Sequence, residues 1–365
     1  MQLDFFPSKT LTTYLAKMFV VRILAVLVML VLVLMMLDLL STSGKILAAE
    51  GNGDAELWTY VSLRIPQLIA RFLPYSVLLA TLITLVTLNQ NSEVVAMKAA
   101  GLSAHQVLAP LLLTALAVAF VSFAFNERVV TRATATLKAW EANEYGPVPK
   151  ESSARSNVYL SDGSDVLSAA SLSGAGDNIS MSGVTWYRRA DNGLIVEQAR
   201  APRATFASPG WKLEEAEVFD VETATSKTVA SRTVAAGVTP EQIELESVDP
   251  DAQGFFELSR SIEAYEAAGR RSNELRAKWW HKISGPLSAL LMPLLGAVAA
   301  FGLARSGQVF VRAIIGMALG FAYFVVDNAA LAMGNFGGYP PLLAAWAPFL
   351  LFLLIGETVL VRTEE

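Results

Sequence analysis

Cysteine is absent from the 365 residues, and histidine occurs only twice. The first absence excludes disulfide scaffolds, zinc ribbons, thiol nucleophiles and Cys-ligated iron–sulfur clusters. The second leaves little from which to build a histidine metal centre. Charge is also scarce. Asp, Glu, Lys and Arg make up 17% of the chain, against about a quarter in an ordinary soluble domain. A net charge of −5 argues against nucleic acid as a partner. No phosphate-cradling Walker loop is present: Gly44-Lys45 comes nearest, but Leu39 stands where the first glycine is needed and Ile46 replaces the Ser or Thr. No G-x-S-x-G elbow, H-E-x-x-H helix or zinc-spaced histidine cluster occurs, and no cofactor or metal is implied.

What is present is apolar and unevenly distributed. Residues 139–275 hold 22 of the 33 acids and 12 of the 28 Lys and Arg, a local net of −10. The remainder nets +5 and is dominated by long greasy runs. A single soluble globule is thereby excluded, and so is a disordered chain. A membrane span needs about 20 mostly apolar residues. Six stretches qualify: 18–40, 65–88, 107–125, 283–304, 309–333 and 342–361. The prolines inside the second and fourth are tolerable in a bundle, where neighbouring helices satisfy the freed carbonyls. The short connections place Lys9, Lys17, Lys98, Arg305, Arg312 and Arg362 on one side and Lys45 and Arg64 on the other, which favours a cytoplasmic N-terminus. The bases flanking the central insert, among them Arg128, Arg132 and Lys278, pull the opposite way. Trp279 and Trp280 suit a headgroup level, with Trp140 and Trp346 as further belt candidates.

The insert is different in kind. Short alternating runs at 157–160, 184–187, 194–198, 204–207, 211–213 and 218–221 read as strands, punctuated by Asp162-Gly163, Asp191-Asn192-Gly193 and Ser208-Pro209-Gly210. The expectation is an antiparallel sandwich, jelly roll or open barrel. Its acidity is that of a solvated surface, and Asn178-Ile179-Ser180 fits a sequon. Residues 254–276 read as an amphipathic connecting helix, with Leu258, Ile262 and Tyr265 on one side.

Ionisable residues inside the apolar runs include Asp38, Arg71, Asp327 and Glu357. An interhelical polar contact is the expectation for each acid. His105 and His281 fall beside span boundaries and read as interfacial residues. Gly316 and Gly320 make a small-xxx-small pair. The most informative stretch follows the second span. Ser92 reads as an N-cap, Glu93 suits a first turn, Val94, Val95 and Met97 give an apolar side, Lys98 a charged one, and Gly101 stops the helix. A short capped helix between two spans, with apolar and charged faces, suits a lever for a partner protein, the alternative being a simple tight connector.

At this loop, Ser92-Glu93-Val94-Val95-Ala96-Met97-Lys98-Ala99-Ala100-Gly101, the chain resembles the lipopolysaccharide-export permeases of the LptF/LptG family, and within it the LptG branch. The similarity continues at Trp280-His281-Lys282-Ile283, Pro286-Leu287-Ser288, Val311-Arg312, Gly320-Phe321, Val326-Asp327 and Gly338-Tyr339-Pro340-Pro341. The insert matches in place and size rather than in letters.

This resemblance implies a helical membrane protein of six transmembrane helices, with a periplasmic all-β, jelly-roll-like domain inserted between helices 3 and 4. The domains would be 1–138 with a coupling helix near 91–101, then 139–255, then 256–365. It implies a non-catalytic subunit of an inner-membrane ABC exporter with both termini cytoplasmic. The partners would be an LptF-type permease, a cytoplasmic LptB-type ATPase dimer and LptC/LptA-type β-bridge proteins. Ser92, Glu93, Val94, Val95, Met97, Lys98 and Gly101 would form the ATPase-coupling element. Lys45, Arg64 and Arg71 would meet lipid A phosphates, and Met29, Met36, Phe321 and Phe324 would line an acyl-chain cavity. The chain departs from some relatives at Met35, Ser41 and Thr42, where they carry bases. A lipoprotein-releasing or efflux-type permease is the nearest rival, but such chains place their outer domain after the first of four spans. A membrane-anchored enzyme or scaffold is the other, and no catalytic constellation supports the enzyme.

Overall fold

The computed structural model describes residues 7–148, 155–162, 165–173, 179–190, 193–239, 248–267, 269–301 and 309–364. Helix α1 (Lys9–Ala48) is 40 residues long. At 1.5 Å per residue it is about 60 Å long, roughly twice a hydrocarbon layer, so it continues well past its apolar run. It ends where Gly51 takes φ +86° and Asn52 Nδ2 donates to the Ile46 carbonyl at 2.9 Å. Helix α2 (Asp54–Gln90) opens with Asp54 and Glu56 in its first turn, where the helix dipole favours anions, and Glu56 accepts from Gly53 N–H at 2.8 Å. A short α3 (Glu93–Ala99) follows, then α4 (Ala104–Phe125), a π-helical turn over Asn126–Val130, and α5 (Thr131–Ala142). The strands come next, then α6 (Phe255–Ala267), α7 (Asn273–Phe301), α8 (Val309–Asn335) and α9 (Pro341–Glu364).

Among the described residues, five helical stretches are long and apolar enough to cross a membrane: Lys9–Ala48, Asp54–Gln90, Ala104–Ala142, Ala313–Asn335 and Pro341–Arg362. The expected span 283–304 falls in α7 and ends beyond the described residues. The expected connecting helix is shorter than anticipated. It stops at Ala267, Gly269 turns with φ +71°, and a separate helix begins at Asn273.

The chain forms two compact units. The first comprises Met1–Met36, Leu68–Arg128 and Arg271–Glu365. Its core joins Leu15, Phe19 and Ile23 of α1 with Leu78, Leu82 and Leu85 of α2, Val107 and Leu111 of α4, Leu291 and Leu295 of α7, Tyr323 of α8 and Phe352 of α9. Small residues let these helices close up. A Cβ on Gly320 would lie 2.2 Å from Leu78 Cδ2, and one on Gly334 would lie 2.4 Å from Ala344 Cβ. Gly320 therefore marks a close crossing, as its small-xxx-small spacing allows.

The second unit comprises Leu37–Gln67 and Val129–Arg270. Its sheet contains β1 (Arg155–Asp162), β2 (Asp165–Ser173), β3 (Ser180–Arg189), β4 (Ile195–Ala207), β5 (Gly210–Asp220) and β6 (Thr225–Val234), all antiparallel and in sequential order. The antiparallel β domain matches expectation, but the described strands form a simple meander, without the crossovers of a jelly roll. The runs at 194–198 and 204–207 are one strand, β4, and those at 211–213 and 218–221 are one strand, β5. The stretch Arg200-Ala201-Pro202-Arg203, with its proline between two arginines, disguised the continuity. Strands β2 and β6 went unread because Ser interrupts the apolar positions of β2 and Ser and Thr make up half of β6. The inward face carries Leu167, Met181, Val184, Trp186, Ala199, Trp211, Leu213 and Val218. Trp211 is fully buried and satisfies its indole N–H on the Val238 carbonyl at 2.9 Å.

One charge also points inward. Glu197 alternates onto the buried face of β4, and a carboxylate there needs partners. Arg232 of β6 donates to both its oxygens, at 2.5 and 2.9 Å, and Arg188 of β3 lies at 3.1 Å. These hydrogen bonds hold the Glu197 carboxyl below its usual range, against the opposing effect of burial. The Arg232 guanidinium also sits 5.0 Å from the Trp186 ring centroid. Trp140, a belt candidate by sequence, is instead fully buried in this unit, its N–H donating to the Gly146 carbonyl at 2.6 Å.

Candidate functional site

Helix α3 is the best-formed candidate. It sits between α2 and α4 in the first unit, and its two ends are built differently. At the C-terminal end Gly101 takes φ +87°, Leu102 N–H donates to the Met97 carbonyl at 3.1 Å, and Gly101 N–H donates to Lys98 at 3.0 Å. This is a Schellman closure, and it needs the left-handed backbone that glycine adopts without penalty. At the other end Ser92 is not a side-chain cap. Its backbone is left-handed (φ +59°) and its hydroxyl makes no capping bond. The serine that does cap is Ser103, which forms a reciprocal capping box with Gln106 at the start of α4, at 3.2 and 3.0 Å.

The apolar side of α3 divides. Val94 and Met97 are buried in the helical core alongside Leu15, Phe19 and Ile23. Val95 lies between them in sequence but projects outward, 62% exposed. Lys98 is exposed and Glu93 half-buried. Glu93 accepts from the Tyr14 hydroxyl at 3.3 and 3.5 Å and from Asn91 Nδ2 at 3.3 Å. The result is a seven-residue helix rooted by two side chains and presenting an exposed aliphatic knob, a geometry suited to seating in another protein's groove.

The three candidate cations occupy different settings. Arg64 of α2 is engaged: Nε and Nη2 bind both Asp38 oxygens at 3.1 and 3.0 Å, and Nη1 donates to Gln67 at 2.8 Å. Tyr60 donates to the same Asp38 at 2.6 Å. Asp38 is thus an interhelical polar partner, as expected. Lys45 is exposed in the last turn of α1, in a cleft of about 640 Å³ lined also by Ala48, Ala49, Glu141, Glu144 and Tyr145. Arg71 is exposed and belongs to the first unit.

Of the four apolar candidates, Met29, Met36 and Phe321 are exposed at 67%, 75% and 62%. Phe324 is not: it is buried, stacked on Tyr75 with ring centroids 3.8 Å apart. Its place is in the core rather than on a lining.

Two pairs escaped the sequence reading. His281 of α7 meets buried Asp327 of α8 at 3.0 Å, and His105 of α4 meets Glu357 of α9 at 3.3 Å. Each histidine of the chain thus finds one of the acids embedded in an apolar run. The partners are 46 and 252 residues apart, so no local pattern announces them. The one available signal is that an acid inside an apolar run needs a partner. Among the described residues, no group of three or more His, Asp or Glu is placed to hold a metal.

Long apolar helices, an antiparallel β domain and a short helix between two spans mark a multi-pass membrane protein. Over residues 13–362 the chain matches the family described as lipopolysaccharide export system permease LptF/LptG, and it belongs to that family. It is 26% identical over 322 residues to the lipopolysaccharide export system permease protein LptG of Escherichia coli K12, covering 86% of this chain and 88% of the relative. It is 23% identical over 325 residues to the LptG protein of Haemophilus influenzae, covering 86% and 89%.

Proposed function

We propose that this chain is the LptG-type permease subunit of an ATP-driven lipopolysaccharide exporter in a bacterial inner membrane. The family match over nearly the whole length carries this reading. In this reading it has six transmembrane helices, cytoplasmic termini and a periplasmic β domain after the third helix. It hydrolyses nothing itself: a cytoplasmic LptB-type ATPase dimer supplies the energy, and an LptF-type subunit completes the cavity. Helix α3 is the coupling element. Val95 enters the ATPase groove, while Val94 and Met97, rooted among α1 and α4 side chains, pass the displacement to the bundle. The lipid's phosphates meet Lys45 and Arg71 at the rim, and its acyl chains pass along Met29, Met36 and Phe321. The outer strands β1 and β6 offer edges to LptC/LptA-type β proteins by strand addition.

The test is co-purification followed by reconstitution. The tagged protein, expressed with its candidate partners, should bring down a nucleotide-hydrolysing subunit and release lipopolysaccharide from liposomes on ATP addition. Val95→Asp places a charge on the docking knob and should abolish recovery of the ATPase while membrane insertion persists. Full recovery with that variant would remove α3 as the coupling element.

A further inference from the structure

Three observations converge on the first turns of α1. The Tyr14 hydroxyl reaches across 79 positions of sequence to both oxygens of Glu93. Two turns further along the same face of α1, Arg22 carries a buried Nη1 with no hydrogen-bond partner, and Glu93 is the carboxylate whose charge acts on it. Beside them Leu15, Phe19 and Ile23, spaced four apart, share one core with Val94 and Met97. Glu93 therefore does not simply face outward as a docking anion. It is held on α1 by the Tyr14 hydroxyl.

We propose that Tyr14 is a positioning residue that fixes Glu93 to α1, so that α1 and the coupling helix move as one body. The apolar contacts resist separation of the two helices but are non-directional and allow them to slide. The hydroxyl–carboxylate bond supplies the missing direction, pinning the first turn of α3 at one level of α1. A displacement delivered to Val95 then reaches α1 without slack. This inference rests on α3 being the coupling helix, as argued above.

The test uses the whole exporter, reconstituted with wild-type chain or with Tyr14→Phe, and measures lipopolysaccharide released per ATP hydrolysed. Wild-type complex that releases no lipid would overturn the functional reading itself. Given wild-type release, Tyr14→Phe should leave assembly with the ATPase and ATP hydrolysis unchanged while lowering lipid released per ATP by about fivefold, the factor carried by one hydrogen bond of ordinary net strength. A ratio equal to wild type overturns the strut. A second measurement separates positioning from packing. In a Glu93→Ala background, adding Tyr14→Phe should cause no further loss, because the acceptor is already gone. A further loss of the same size would assign the effect to the ring's packing and refute the proposal.

Discussion

Gly334→Ala is the substitution on which the packing argument is most exposed. Gly334 lies near the end of α8, and a methyl group there would sit 2.4 Å from Ala344 Cβ and 3.4 Å from Ala277 Cβ. Ordinary carbon contacts begin near 3.4 Å, so about 1 Å must be recovered at the first of these, close to where well-packed carbons normally rest. A leucine tip could rotate away, but an alanine Cβ moves only with its backbone. The helices α8 and α9 must therefore separate locally, at a cost of about 1–3 kcal/mol for overpacking. Replacing glycine by alanine in a helix returns up to about 1 kcal/mol, and less within the last turn, where the backbone is partly frayed. The net expectation is destabilisation of about 1–2 kcal/mol, read as earlier thermal unfolding of the purified protein in detergent. Gly44→Ala supplies the opposite sign: no atom lies within 4 Å of its Cβ, so the helix propensity gain stands alone. The decisive variant is Gly334→Ala combined with Ala344→Gly, which moves the methyl to the other helix and should recover most of the loss. If the double variant is no more stable than Gly334→Ala, the close crossing is not what the glycine serves.

Two further outcomes follow from the charged residues. Asp38→Ala strips Arg64 of its bidentate partner and Tyr60 of its acceptor; because the ion pair is 22–30% exposed, the cost should be about 1–3 kcal/mol rather than the full penalty of a buried pair. Adding Arg64→Met should recover part of it, and a double variant no better than Asp38→Ala would show that the unpaired guanidinium was never the source. In the β domain, the lowered Glu197 pKa means that its stabilisation is present above the unfolded carboxylate value near 4.3 and is lost as pH falls toward the folded value. Hydrogen exchange of strands β3 to β6 should therefore rise as pH falls below about 4.3 more in wild type than in Glu197→Gln, once each is normalised to the unfolded rate. Identical pH dependence in the two would remove Glu197 as the titrating group.

Much of this protein is legible in its sequence alone. Runs of about 20 apolar residues have few alternatives to a membrane helix, and the change to short strands with turn dipeptides has few alternatives to a β domain. Capping chemistry was less secure. Gly101 stopped α3 as expected, because left-handed closure depends on a single residue type. Ser92 did not cap, because capping depends on the backbone angles of the residue and not on its hydroxyl alone.

Which face of each helix matters was decided only by packing. Residues 23–37 of α1 are continuously apolar, so no amphipathic period separates inside from outside. In the fold, Leu15, Phe19, Ile23, Leu27, Val31 and Met35 turn inward at every fourth position, leaving Met29 and Met36 exposed. Phe321 and Phe324 look equivalent as letters, yet one faces out and the other stacks on Tyr75. The pairs His281–Asp327, His105–Glu357 and Tyr14–Glu93 likewise exist only once distant helices meet. Composition and periodicity are properties of neighbouring residues and determine what each segment becomes. Partners, seats and exposed knobs depend on which segments touch, and that is settled by burial and charge pairing across the whole chain.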